Sequence, residues 1–120
     1  MKVAGIGFRA AAPLSALRQA LDLAEAAGGR VTALATTAER ADAPALCALA
    51  QERGLPILRV PVQDVPTQTQ SPRVQARFGT GSLAEAAALQ AAGPGARLTV
   101  PRLITPDGQA TAAIATGETE

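Results

Sequence analysis

V-A-G-I-G-F-R at 3–9, P-L-S-A-L-R-Q-A-L-D-L-A-E-A-A-G-G at 13–29 and V-T-A-L-A at 31–35 are the three pieces whose reading decides the fold. Val3 to Phe8 is a short apolar run closed by Gly7 and Arg9, the pattern of a buried inner strand that runs into a loop. In the second piece Leu14, Leu17, Leu21 and Ala24 recur at three- and four-residue intervals. Pro13 suits a first helical turn and Gly28-Gly29 a carboxyl-terminal cap, so a helix is predicted over Pro13–Ala27. The third piece reads as a second strand, Val31 to Ala35, ending in Thr36-Thr37. Strand, helix and strand joined by short connections predict a parallel pair with the helix laid across it.

Working outward, Pro44 to Arg53 reads as a second helix with Leu46, Leu49 and Ala50 inward and Gly54 as its stop. Leu55 to Val60 reads as a third strand. Pro61 to Pro72, rich in Pro, Gln and Thr, is expected to be a loop, and Ser71 to Phe78 a short helix carrying Arg73 and Arg77 on one face. Gly79-Thr80-Gly81-Ser82 then opens a helix over Leu83–Ala92. Ser82 followed by Glu85 forms a capping box, in which hydroxyl and carboxylate satisfy orphan amides reciprocally. Arg97–Leu103 and Gln109–Ala115 read as two strands joined by Pro106-Asp107-Gly108, a strong turn signal. The predicted fold is α/β: one domain over residues 1–120, three-layer α/β/α, with a mostly parallel sheet and a C-terminal β-hairpin.

Composition removes whole classes of chemistry. The 120 residues include no His, Trp or Tyr and only two Phe. A Ser-His-Asp triad and a His-ligated metal are therefore excluded, and base stacking has almost no aromatic platform. The single Cys, Cys47, forbids an internal disulfide and a multi-Cys metal site, which fits a reducing compartment. Placed mid-helix beside Leu46, Ala48 and Leu49, it is expected to be a buried, inert thiol. A net charge of +1 lacks the basic excess of nucleic-acid-binding proteins. No apolar run approaches the length of a membrane span and no signal-peptide pattern opens the chain, so a cytoplasmic protein is expected. Only 26 of the 120 residues are Val, Leu, Ile or Phe. The core must be built largely from Ala.

Ligands of open α/β sheets bind beyond the carboxyl ends of the strands. Three segments are expected there. Gly5, Gly7 and Arg9 offer close backbone approach and a fork of donors, and they also fit glycines required only by a tight turn. The dinucleotide fingerprint fails, since its third glycine would fall at Ala10. Gly79, Thr80, Gly81 and Ser82 present the amides of a helix amino terminus, an anion site by construction, or simply a capped helix start. They lack the Lys and spacing of a phosphate-binding P-loop. Thr36-Thr37 with Arg40, after the second strand, is the third segment, a polar loop in which Thr36 offers a hydroxyl and Arg40 a charge. The scattered carboxylates Glu25, Glu39, Asp42 and Glu52 are expected to be solvated.

G-I-G-F-R at 5–9, A-L-A-T at 33–36, G-L-P-I at 54–57, G-T-G-S-L-A-E-A-A-A-L at 79–89, L-T-V-P-R at 98–102 and A-I-A at 113–115 together resemble the CobE / CbiG C-terminal domain family of cobalamin (vitamin B12) biosynthesis. The resemblance runs from about residue 3 to residue 115 and implies a compact α/β domain acting in corrin-ring construction. For CbiG it implies hydrolytic opening of the ring-C δ-lactone of cobalt-precorrin-5A with loss of acetaldehyde. Where the family often carries Lys after the A-T pair, this chain has Arg40, whose guanidinium forms no Schiff base.

Two functions follow from the resemblance. The first is a tetrapyrrole-binding accessory or carrier protein of the aerobic route. There Gly5, Gly7, Arg9, Thr36, Gly79, Thr80, Gly81, Ser82 and Arg102 grip peripheral carboxylates of a precorrin or corrinoid, and Arg73 and Arg77 close the cleft. The second is a hydrolase opening the δ-lactone of precorrin-5A, whose base, without His, must be a carboxylate, a perturbed Cys or a metal-bound water. No cofactor or metal is expected. Beyond the corrinoid, other cobalamin-biosynthesis enzymes are the expected partners, with neither nucleic acid nor membrane.

Overall fold

The computed structural model describes residues 1–61 and 82–117. In chain order the elements are β1 (Lys2–Phe8), α1 (Leu14–Gly28), β2 (Ala33–Thr36), α2 (Ala38–Ala41), α3 (Pro44–Arg53), β3 (Ile57–Arg59), α4 (Leu83–Ala92), β4 (Arg97–Ile104) and β5 (Ala110–Thr116). The expected loop and short helix between Pro61 and Phe78 lie, apart from Pro61, outside the described residues.

The strands form one five-stranded sheet in the order β3-β2-β1-β5-β4. The β1–β2 and β2–β3 pairs are parallel, whereas β1–β5 and β5–β4 are antiparallel. The sheet is therefore mixed, which corrects the expectation of a mostly parallel one. The cause is the place of β5. It turns back from β4 through Pro106-Asp107-Gly108, and it pairs with β1 over its whole length, Lys2 opposite Thr116 to Phe8 opposite Ala110. One reversed strand inside the sheet makes both of its neighbouring pairs antiparallel.

Each face of the sheet carries its own core. Ala4, Ile6, Leu34, Ala112 and Ile114 pack with Leu17 and Leu21 of α1 and Leu46 and Leu49 of α3. On the other face Val3, Ala33 and Ala35 pack with Ala86 and Ala87 of α4. The alternation of Val3 and Ala4, or of Ala33 and Leu34, between the two clusters is the period-two rule of a strand buried on both sides.

Small residues set the spacing on the α4 face. A Cβ added to Gly5 would fall 1.9 Å from the carbonyl oxygen of Ala84 and 2.8 Å from the nitrogen of Ala88. The i, i+4 row of Ala84 and Ala88 thus lets the helix backbone rest directly on the β1 backbone. Burial by close approach here replaces burial by bulk.

α1 and α3 are tied on their outer sides by ion pairs. Arg18 grips Glu52 at 2.8 Å, and Arg53 reaches Asp22 at 2.7 Å and Glu25 at 3.3 Å. The Arg18 bond holds the Glu52 carboxyl below its ordinary range. Glu25, Asp42 and Glu52, expected to be merely solvated, are in fact paired. Glu25 also accepts the Val31 N–H at 3.0 Å, which draws residue 31 out of the ladder and delays β2 to Ala33.

Candidate functional site at the carboxyl end of the sheet

Among the described residues the loops after β1 and β2 and the β4–β5 turn meet beyond the carboxyl end of β1, and the first turn of α4 stands over the same end. A Cβ on Gly7 would lie 3.8 Å from both the nitrogen of Ala84 and the Cβ of Leu83. Gly7 is therefore the point where strand end and helix start touch. Ser82 is the N-cap of this ten-residue helix, and its hydroxyl accepts the Glu85 N–H at 3.3 Å. This is the hydroxyl bond of the predicted capping box. The amides of Leu83 and Ala84 have no carbonyl to bond within the helix, and the helix dipole adds positive potential there.

The Glu85 carboxylate has a further role that the capping reading missed. The residue is wholly buried, and its Oε2 accepts the backbone N–H of Arg102 at 2.8 Å. The β4–β5 register slips between Val100 and Leu103, so β4 bulges there. Glu85 provides the acceptor for an amide within that bulge. A carboxylate three residues into an Ala-rich helix, opposite a strand carrying Pro101, is the signal in the sequence. What it lacked was knowledge that β4 passes this helix.

The predicted site residues fall as follows. Gly5 and Gly7 lie inside β1 and not in a loop after it, and Gly5 is covered by α4. Arg9 follows β1 directly. Its main chain donates to the Gln109 carbonyl at 3.0 Å, while its exposed side chain reaches the Gly108 carbonyl at 3.5 Å. Thr36 is wholly buried and donates its hydroxyl to the Ile6 carbonyl at 3.0 Å. Arg102, half-buried on β4, lies about level with Ile6, because Leu103 pairs Ala112 and Ala112 pairs Ile6. Arg9, Thr36, Ser82 and Arg102 thus share one end of the sheet. Gly79, Thr80 and Gly81 lie outside the described residues, as do Arg73 and Arg77.

The other two members of the third expected segment, Thr37 and Arg40, also belong to this end. Thr37, directly after β2, is 7% exposed, and its Oγ1 is buried with no hydrogen-bond partner. Arg40, on the single-turn α2, lies 5.6 Å above the centre of the Phe8 ring, within cation–π range. Among the described residues Arg9, Arg40 and Arg102 form no ion pair, whereas Arg59, also at this end, is held by Asp42 at 2.6 Å. Unpaired guanidinium groups beside a helix amino terminus favour an anionic ligand.

Cys47 is exposed, contrary to the buried thiol expected of it, and its Sγ lies 3.5 Å from the Ala41 carbonyl. Leu46, Leu49 and Ala50 define the inward face of α3, and residue 47 stands a quarter-turn off it. Among the described residues no group of three or more His, Cys, Asp or Glu is placed to hold a metal ion. No described helix is long and apolar enough to cross a membrane.

Comparison with known proteins adds three findings. The family described as cobalamin synthesis G C-terminus matches residues 2–115. The crystal structure of CobE, a protein from the cobalamin (vitamin B12) biosynthetic pathway, superposes with a TM-score of 0.83. That match has 29% identity and covers 96% of this chain and 89% of that one. The cobalamin biosynthesis protein chiG from Agrobacterium tumefaciens superposes with a TM-score of 0.75 and 34% identity, covering 98% and 99% of the two chains. Among curated proteins there is no match.

Proposed function

This chain belongs to the cobalamin synthesis G C-terminus family, and from that membership we propose that it binds corrin-ring (precorrin) intermediates as a cytoplasmic tetrapyrrole-binding accessory or carrier protein of cobalamin biosynthesis. The observation that carries this reading is electrostatic. One end of the sheet gathers the α4 amino terminus with Arg9, Arg40 and Arg102, none of them ion-paired among the described residues, and all of these groups recognise anions. Corrin intermediates bear a rim of acetate and propionate carboxylates. Guanidinium forks and helix amides are the donors that such a rim demands.

The groups divide the work. Arg9 and Arg40, on the loops after β1 and β2, supply long-reach charge. Arg102 is held at a fixed height by the Glu85 bond to its amide. Ser82 and Thr36 fix the framework around them through their bonds to Glu85 and Ile6. With no imidazole in the sequence to ligate cobalt, the ligand is held by its edge and faces. Carriage requires nothing more, since it needs reversible binding without bond cleavage.

Absorbance titration with hydrogenobyrinic acid, followed by analysis of the recovered pigment, tests the proposal. Saturable one-to-one binding is expected, weakened by Arg9→Ala and Arg102→Ala, with the pigment recovered unchanged. Absence of saturable binding refutes it. Conversion of a lactone-bearing precorrin would replace it with the hydrolase function.

A further inference from the structure

We propose that Thr37 and the first turn of α4 form a subsite for one carboxylate of the bound ligand, with the Thr37 hydroxyl and the amides of Leu83 and Ala84 as its donors. The identity of the ligand as a corrin rests on the reading above. The subsite itself rests on geometry.

Thr37 occupies the N-cap position of α2, where a Thr oxygen ordinarily accepts an amide N–H from the first turn. Here it makes no such bond. Its Oγ1 is shut away from solvent with nothing to bond among the described residues, a condition that native proteins rarely leave without use.

Strand alternation gives the direction of the side chain. Ala33 and Ala35 lie in the α4-side core and Leu34 in the opposite one. Thr37 is still extended, with φ −71° and ψ 158°, and continuing the alternation by one residue past β2 assigns its side chain to the α4 side. Register gives its height. The β1–β2 pairing ends with Gly5 opposite Ala35, and carrying that register forward two residues brings Thr37 level with Gly7. Leu83 and Ala84 stand over Gly7.

The neighbours leave Thr37 as the donor to be satisfied. Thr111, across Gly7 on β5, donates its hydroxyl to the Gly7 carbonyl at 3.3 Å. Thr36 donates to Ile6. Glu85, in the same helical turn, directs Oε2 to Arg102 on β4 and so away from β2. One hydroxyl and two amides beside the positive end of a helix favour a carboxylate and disfavour a neutral amide.

The test compares the wild type with Thr37→Val, which keeps the β-branched shape and removes the hydroxyl, and Thr37→Ser, which keeps the hydroxyl. Two probes are used: hydrogenobyrinic acid by absorbance, and sodium propionate against propionamide by the amide NMR shifts of Leu83 and Ala84. Propionate is expected to shift both amides in the wild type and Thr37→Ser, far less in Thr37→Val, and propionamide in none. Corrin affinity is expected to fall about tenfold in Thr37→Val, the loss of one charge-assisted hydrogen bond. A thermal midpoint for Thr37→Val at or above that of the wild type shows that the fold is intact. If the wild type binds the corrin and Thr37→Val binds it equally well, the subsite is refuted and the carrier reading stands. If the corrin fails to bind while propionate still shifts the amides in a Thr37-dependent way, the carrier reading is refuted and the subsite stands. If propionate leaves both amides unmoved in the wild type, the subsite is refuted whatever the corrin does.

Discussion

Replacing Gly5 with Ala adds a single methyl group at the point where the β1 backbone carries α4. That methyl carbon would lie 1.9 Å from the Ala84 carbonyl oxygen and 2.8 Å from the Ala88 nitrogen. Carbon and oxygen rest at about 3.5 Å, so helix and strand must separate by roughly 1.5 Å. Both obstructing atoms are backbone, and neither can rotate aside. A gap of even ~1 Å forfeits up to about half of each dispersion contact along the helix, and those contacts are what Ala84, Ala86, Ala87 and Ala88 contribute. The cost is expected at or beyond the upper end of ordinary overpacking, about 3 kcal/mol. That corresponds to roughly 12 °C in thermal midpoint for a domain of this size.

Gly7→Ala provides the graded control. Its methyl meets the Thr111 Oγ1 at 2.6 Å, a side-chain atom, and stays 3.8 Å from Ala84. Rotation of Thr111 relieves that contact, and a loss nearer 1 kcal/mol is expected. Urea unfolding followed by circular dichroism measures both. A Gly5→Ala protein within about 0.5 kcal/mol of the wild type, or one no less stable than Gly7→Ala, would refute the argument that α4 is seated on bare backbone.

Further outcomes are expected elsewhere in the fold. Glu85→Ala orphans the Arg102 amide and opens a cavity, for a loss of about 2–4 kcal/mol. Glu85→Gln retains an acceptor oxygen and should lose less, and faster hydrogen exchange at Arg102 in the Ala variant alone would confirm the bond. In the β4–β5 turn the Thr105 hydroxyl, at 2.6 Å, and then the Gln109 N–H hold the Asp107 carboxyl below its ordinary range. The folded chain therefore favours the ionised form, so the contribution of Asp107 to stability stands above the ordinary Asp pKa of about 3.9 and fades as pH falls below it. The stability gap between wild type and Asp107→Asn should stay level from pH 7 to 5 and close in stronger acid. A gap that widens in acid would reverse the assignment.

Local chemistry was legible in the sequence, and the order of the strands was not. α3 and α4 begin and end where Pro44, Gly54, Ser82 and Gly93 place them, and α1 is shifted by one residue. Caps and turns act over a few residues, so a single sequence displays them. The mixed sheet depends on β5 finding β1, a pairing across more than a hundred residues that no local rule encodes. A trace of it exists. A-T-A-A-I-A-T at 110–116 is small and apolar on both faces, which fits a central strand, whereas β4 carries Arg97, Pro101 and Arg102, which fit an edge. At the site, Arg9, Thr36, Ser82 and Arg102 were legible as polar groups near strand ends or a helix start. Thr37 was legible only as part of the same polar loop, because its distinction is burial without a partner, and only the assembled fold creates that condition.

The interior position of β5 also governs how this domain comes together during synthesis. β1 is made more than a hundred residues before β5, the neighbour that completes it. Until residues 110–116 leave the ribosome, the nascent sheet presents an inner, apolar strand as an open edge, with none of the guards carried by β4. Completion is therefore a late, single event that joins residues 2–8 to residues 110–116. Interruption before it leaves a molecule lacking the middle of its sheet rather than its rim.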